Sequence, residues 1–230
     1  MFRILLKALL GLLMRVLFRP RVEGAENIPD SGPVILACNH LTFIDSIFLS
    51  LVVKRQVFFI GKDEYVTGRS IKGRLMAWFF TSVGMVPVDR DGGHGGVAAL
   101  MTGQRLLEEG KVFGIYPEGT RSPDGRLYRG RTGVARLALM TGAPVVPCAT
   151  IGTDRVQPSG AGLPRISQVT IRFAEPLRFA RYEGMGRDRY VLRAATDEVM
   201  SHVMRLSGQE YVDVYATKAK ARAADHRTAA

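Results

Sequence analysis

The 230-residue chain is 47% apolar, enough to bury one sizeable core, so disorder is excluded as the starting expectation. Its 32 Lys and Arg against 21 Asp and Glu give a formal charge of +11, and its partners should therefore carry phosphate, on lipid, nucleic acid or a small substrate. The two cysteines, Cys38 and Cys148, form no CxxC and join no His/Cys cluster, which argues for a reducing compartment and against a structural zinc.

On a helical wheel of about 100° per residue, Arg3, Lys7, Arg15 and Arg19 share one arc. Leu5, Leu6, Leu9, Leu10, Leu12, Leu13, Val16 and Leu17 fall opposite. The longest uncharged run, between Lys7 and Arg15, is short of the roughly 20 apolar residues that a spanning helix needs. No small-residue cleavage site follows, so a signal peptide is not expected. Residues 1–19 read as an amphipathic helix lying in a membrane interface, leucines down and basic groups toward anionic headgroups. The same periodicity also fits a helix packed on the protein's own core.

Pro20 closes that helix, and Pro33–Cys38 is a continuous apolar run of buried-strand length. Helical and strand patterns then alternate. Helices are predicted over Phe43–Val53, Ser70–Thr81, Val97–Glu109, Gly133–Thr141 and Asp188–Leu206. Strands are predicted at Val57–Ile60, Gly84–Val88, Lys111–Tyr116, Pro144–Thr150 and Gln168–Phe173. This alternation implies one α/β domain over residues 20–215, with a mainly parallel, mixed sheet flanked by helices. From Ala216 to residue 230 the Ala/Lys/Arg sequence lacks apolar periodicity and reads as a basic flexible tail.

Chemistry concentrates in Asn39-His40-Leu41-Thr42-Phe43-Ile44-Asp45, directly after the first apolar strand. Residues five apart sit roughly 140° apart on a helix, so His40 and Asp45 meet only if His40 precedes the helix. Thr42 is the N-cap candidate, which puts Asp45 in the first turn and His40 in the loop. A carboxylate can then hold one ring nitrogen while the other removes a proton from a hydroxyl. Left alone, the pair also fits a helix-dipole aspartate beside a loop histidine. The segment Ile115-Tyr116-Pro117-Glu118-Gly119-Thr120-Arg121 ends another strand, so Glu118 and Arg121 should face the same crevice. The planar fork of Arg121 suits a phosphate monoester, whereas a surface salt bridge with Glu118 is the plainer alternative.

These residues resemble the lysophosphatidate acyltransferases of the glycerolipid acyltransferase superfamily. Asn39 to Asp45 matches NHxxxxD, and Tyr116 to Arg121 matches FPEGTR with Tyr in place of Phe. Gly84–Arg90 resembles the middle block that ends in arginine, and Val145-Val146-Pro147 the last block. Gly130-Arg131 stands where Phe-Lys is common. The resemblance runs from about Pro33 to Thr150.

It implies that His40 is the general base and that Asp45 orients it, while Glu118 organises the acceptor site. It further implies that Lys62, Arg90, Thr120 and Arg121 bind the substrate phosphate. Backbone N–H groups around Gly119 are the candidate oxyanion donors. The implied reaction moves an acyl chain from acyl-CoA or acyl carrier protein to the free hydroxyl of lysophosphatidate, with no cofactor and no metal. The implied setting is the cytoplasmic face of the cell membrane, held peripherally or monotopically on the bilayer. Other lysophospholipids or glycerol 3-phosphate are alternative acceptors.

A cysteine nucleophile at Cys38 is a rival, set against the commoner case of a small buried core cysteine. A non-catalytic anionic-lipid or nucleic-acid binder is a second rival. Nucleic-acid binding normally brings a stripe of aromatic stacking residues interleaved with the charge, and none is read here, so nucleic acid is not an expected partner. Gly92–Gly96 lacks Walker spacing and reads as a loop.

Overall fold

The computed structural model describes residues 11–12, 15–62, 70–88, 95–158 and 165–228. Arg90, the side chain of Lys62, residues 92–94 of the glycine-rich segment, and residues 1–10 and 13–14 of the N-terminal segment predicted as helix lie outside the described residues.

The strands are β1 (Arg21–Glu23), β2 (Val34–Cys38), β3 (Val57–Lys62), β4 (Met85–Val88), β5 (Val112–Ile115), β6 (Leu127–Tyr128), β7 (Val145–Ile151), β8 (Thr170–Phe173) and β9 (Tyr211–Val212), of which β2 is a continuous buried apolar run, as is β7 up to Ala149. Seven of them form one sheet in the order β1-β8-β7-β2-β5-β3-β4, while β6 and β9 pair separately. Neighbours are parallel except β7 and β8, so the sheet is mixed and mainly parallel, as its residue pattern predicts.

The helices are α1 (Asp45–Val52), α2 (Ile71–Ser82), α3 (Gly95–Glu108), α4 (Gly133–Thr141), α5 (Thr153–Val156), α6 (Arg189–Ser207) and α7 (Ala216–Thr228). The chain moves outward from β2 to β3 to β4 through α1 and α2, then returns to β5 and β7 through α3 and α4. Right-handed crossovers place the outward and return helices on opposite faces of the sheet. Accordingly, Phe48 and Leu49 of α1 bury with Leu36, Cys38 and Cys148 on one face. Leu106 and Leu107 of α3, Val134 and Leu137 of α4, and Val199 and Val203 of α6 bury with Ile35 and Ala37 on the other. Central strands covered on both faces have no polar side to show, which explains the unbroken apolar run at β2, wholly buried.

The helix boundaries follow local chemistry. Ser70 caps α2 by accepting the Gly73 N–H at 3.0 Å, and Asp188 caps α6 by accepting the N–H groups of Tyr190 and Val191.

One expectation changes at the C-terminal end. The predicted tail is helix α7, anchored where Ala216 is fully buried. Composition conceals it because the docked end is short and the remainder is polar. The N-terminal segment is helical at 11–12 and 15–18, and its described side chains differ in burial. Phe18 is buried edge-on against Phe48 at 5.5 Å, whereas Leu12 and Val16 are 61% and 60% exposed. The same helix thus contributes to the core along one side and leaves an apolar row open along another.

Candidate active site

β2, β5 and β7 are parallel neighbours, so the loops leaving their carboxyl ends meet at one edge. β2 delivers His40 there, β5 delivers Tyr116 to Arg121, and β7 delivers Thr150. Lys62 closes β3 at the same edge.

His40 Nδ1 lies 2.9 Å from Asp45 Oδ2. That oxygen also accepts the Leu41 and Thr42 N–H groups, each at 2.8 Å, while Oδ1 accepts the Thr150 hydroxyl at 3.1 Å. An ionised carboxylate only accepts, so Nδ1 carries the proton and Nε2 keeps its lone pair. Asp45 is fully buried and the His40 side chain is 17% exposed. Among the described residues, Nε2 has no hydrogen-bond partner. The ring stacks on Tyr116 with centroids 3.8 Å apart and planes 12° from parallel. The Tyr116 hydroxyl is in turn tied to Ser46 Oγ at 2.7 Å. Edge and face of the imidazole are both fixed, which is what a proton acceptor needs if it is not to reorganise.

The two residues meet because α1 begins at Asp45 itself. The expected Thr42 cap does not form: Ile44 occupies the cap position, and the buried Thr42 hydroxyl has no partner among the described residues. Asp45 reaches backward instead, and one carboxylate both satisfies the loop N–H groups and orients the base.

Glu118, expected to face the crevice, points inward. It is 1% exposed, and its two oxygens accept the N–H groups of His40 and Tyr128, each at 3.0 Å. Burial pushes its carboxyl up to about 7, against the downward pull of those two N–H bonds and of Lys220; nearby Asp45 adds a smaller upward push. The Ser122 N–H donates to the His40 carbonyl at 2.7 Å. The Glu118–Ser122 loop therefore grips the His40 backbone from both sides, and Glu118 holds that backbone rather than facing the cleft.

Gly119 adopts φ 75°, and a Cβ there would approach Arg131 Nε to 2.8 Å, so only glycine fits. Its N–H donates to the Tyr116 carbonyl at 2.9 Å. That bond removes the Gly119 N–H from the expected set of oxyanion donors.

Arg121 is exposed and, among the described residues, in no salt bridge. Thr120 Oγ1 accepts from Lys220 Nζ of α7 at 2.8 Å. At Gly130 a Cβ would come within 2.8 Å of Met200, so a phenylalanine there would displace α6. Arg131 closes the loop from behind, its N–H donating to the Pro117 carbonyl at 2.7 Å.

Sequence reasoning passed over three contributors. Asn39 extends the β2–β7 pairing by one side chain, accepting the Thr150 N–H at 2.8 Å and donating to the Thr150 carbonyl at 3.0 Å. It also donates to Gln209 Oε1 at 2.8 Å. Thr150 and Gln209 have no local sequence signal, since each acts from more than 100 positions away. Cys38 is buried, and burial first, then Cys148 and Asp45, push its thiol well above the usual range. It remains a protonated core thiol, which disfavours it as a nucleophile.

Fold and site together define an α/β protein whose sheet edge holds an oriented imidazole beside a loop that carries cationic side chains. The chain belongs to the Acyltransferase family, whose model matches residues 19–151. It is 34% identical over 145 residues to a chloroplastic 1-acyl-sn-glycerol-3-phosphate acyltransferase of Arabidopsis thaliana, covering 63% of this chain and 39% of that one. It is 30% identical over 164 residues to the 1-acyl-sn-glycerol-3-phosphate acyltransferase of Bacillus subtilis, covering 70% and 75%. The chain thus spans about two-fifths of the plant relative and three-quarters of the bacterial one. The crystal structure of the 1-acyl-sn-glycerophosphate acyltransferase PlsC from Thermotoga maritima superposes with a TM-score of 0.60 at 28% identity, covering 81% of this chain and 71% of that one.

Proposed function

We propose that the chain transfers a fatty acyl group from a thioester, acyl-CoA or acyl carrier protein, to the free hydroxyl of lysophosphatidate, giving phosphatidate. The observation that carries this reading is the His40–Asp45 pair, with Nε2 unoccupied beside the Thr120–Arg121 loop. Nε2 takes the acceptor's hydroxyl proton as its oxygen attacks the thioester carbonyl. The tetrahedral oxyanion then collapses, the carbon–sulfur bond breaks, and the leaving thiolate receives the proton from the imidazolium. Asp45 stabilises that imidazolium and fixes its tautomer. Thr120, Arg121, Lys62 and Arg90 bind the acceptor phosphate.

The acceptor is a lipid, and the N-terminal helix is suited to meet it at a bilayer surface. No described helix is long and apolar enough to cross a membrane. Leu12 and Val16 project outward, and beside them Arg15, Arg19, Pro20, Val22 and Val52 line an open hollow of about 390 Å³. An apolar row next to a basic hollow matches acyl chains next to anionic headgroups, which supports peripheral docking at the cytoplasmic face.

Acyl transfer, read as thiol released from the donor and as the acylated product, is measured with lysophosphatidate, glycerol 3-phosphate and lysophosphatidylcholine as acceptors, each with both donors. Lysophosphatidate should be preferred, and His40→Ala should lower kcat at least about 10³-fold. It should leave the melting temperature within a few degrees. A folded His40→Ala variant with ordinary activity would remove the proposed base.

A further inference from the structure

α7 lies outside the 19–151 segment that the family model matches, yet it docks on the loop carrying Thr120 and Arg121. Its anchor is aromatic and polar. Tyr215 packs beneath the guanidinium groups of Arg129 and Arg131, at 5.7 and 5.3 Å from the ring centre, and Arg131 Nη2 donates to Thr217 Oγ1 at 3.2 Å. One turn further on, Lys220 Nζ reaches Thr120 Oγ1 at 2.8 Å.

Three cations therefore crowd one loop: Arg121, Arg131 and Lys220. Among the described residues none of them is in a salt bridge. The nearby carboxylates are already engaged. Glu118 is buried with both oxygens on backbone N–H groups, and Asp213 pairs with Arg129 at 3.4 Å. Partial burial and the charge of Arg121 hold the Lys220 ammonium below its usual range. Like charges gathered without a counter-ion lower their energy when a phosphate arrives between them.

We propose that Lys220 is a ligand of the acceptor's phosphate monoester, so that α7 completes the phosphate site begun by Thr120 and Arg121. This deepens the function proposed above and rests on it. On binding, the ammonium turns from the Thr120 hydroxyl toward the phosphate oxygens. Both groups then contact the same dianion.

The donor acyl-CoA also carries phosphate, so the test separates the two sources. Lys220→Met keeps the apolar stem and removes the charge, while Lys220→Arg keeps the charge. Lys220→Met should raise KM for lysophosphatidate about tenfold or more, leave kcat within about threefold and leave KM for acyl-CoA unchanged. Lys220→Arg should recover most of the loss, and inorganic phosphate should inhibit Lys220→Met less than wild type. A residue that only fastened α7 would shift the melting temperature without this split.

In the wild-type chain, lysophosphatidate should protect Lys220 from amine acetylation read by mass spectrometry, and acyl-CoA should not. This readout stands even if the variant fails to fold. Movement of the donor KM alone, an unmoved acceptor KM or an absence of protection would each overturn the proposal. A wild-type chain that makes no phosphatidate from either donor would overturn the function itself.

Discussion

One carboxylate organises the candidate base. Asp45 collects His40 Nδ1, two loop N–H groups and the Thr150 hydroxyl, four donors on two oxygens. Asp45→Asn is nearly isosteric and can keep three of these bonds through its carbonyl while its amide donates to the Thr150 hydroxyl, which can accept. The fold should survive, and the loss should fall on the charge that stabilises the imidazolium. We expect kcat/KM to drop by roughly 10²–10⁴-fold with little change in melting temperature. A drop under about tenfold would leave Asp45 only its role at the start of α1. At this scale the meeting of His40 and Asp45 was legible, because residues five apart can pair only if the first precedes the helix. The inward turn of Glu118 was not legible. Its direction is set by the N–H groups of His40 and Tyr128, and the first of these is 78 positions away.

Elements were legible in proportion to how much of them is buried. The helix over Gly133–Thr141 was predicted to the residue, and β2, β3, β5 and β7 declared themselves as apolar runs. The short strands β1, β6 and β9, of two or three residues, carry no period to read. α7 was missed because its stability comes from docking rather than from an apolar face. The N-terminal helix shows the reverse case, in which one periodicity serves two surfaces. Deleting it would remove Phe18 from the core, so a cleaner test replaces only exposed residues. Leu12→Glu with Val16→Glu should lower flotation with anionic liposomes at least tenfold. The melting temperature should stay within a few degrees, because both side chains are largely exposed. Undiminished flotation would assign docking to another surface.

For the molecule as a whole, Glu118 makes stability depend on pH. Between its ordinary 4.5 and about 7, the folded state keeps a proton that the unfolded chain has already released. Its contribution to stability is therefore intact below about 4.5 and declines as pH rises through about 7, by roughly 3 kcal/mol. Glu118→Gln cannot titrate, and its amide N–H₂ would face one of two backbone donors, so the variant should be less stable overall. Its unfolding free energy should nonetheless lose the decline across this window, and parallel stability curves for the two proteins would assign the slope to other groups. The edge pair of β1 and β8 carries a different consequence, one of timing. Asn27, just after β1, donates to the carbonyl of Phe173, 146 positions away, and among the described residues β1 has no partner in the sheet other than β8. Closing so long a loop is slow, and β1 cannot be placed until β8 has been laid against β7. The edge strand β1 is thus expected among the last parts of the sheet to be secured during folding, after the strands whose loops carry His40 and Thr120 are in register.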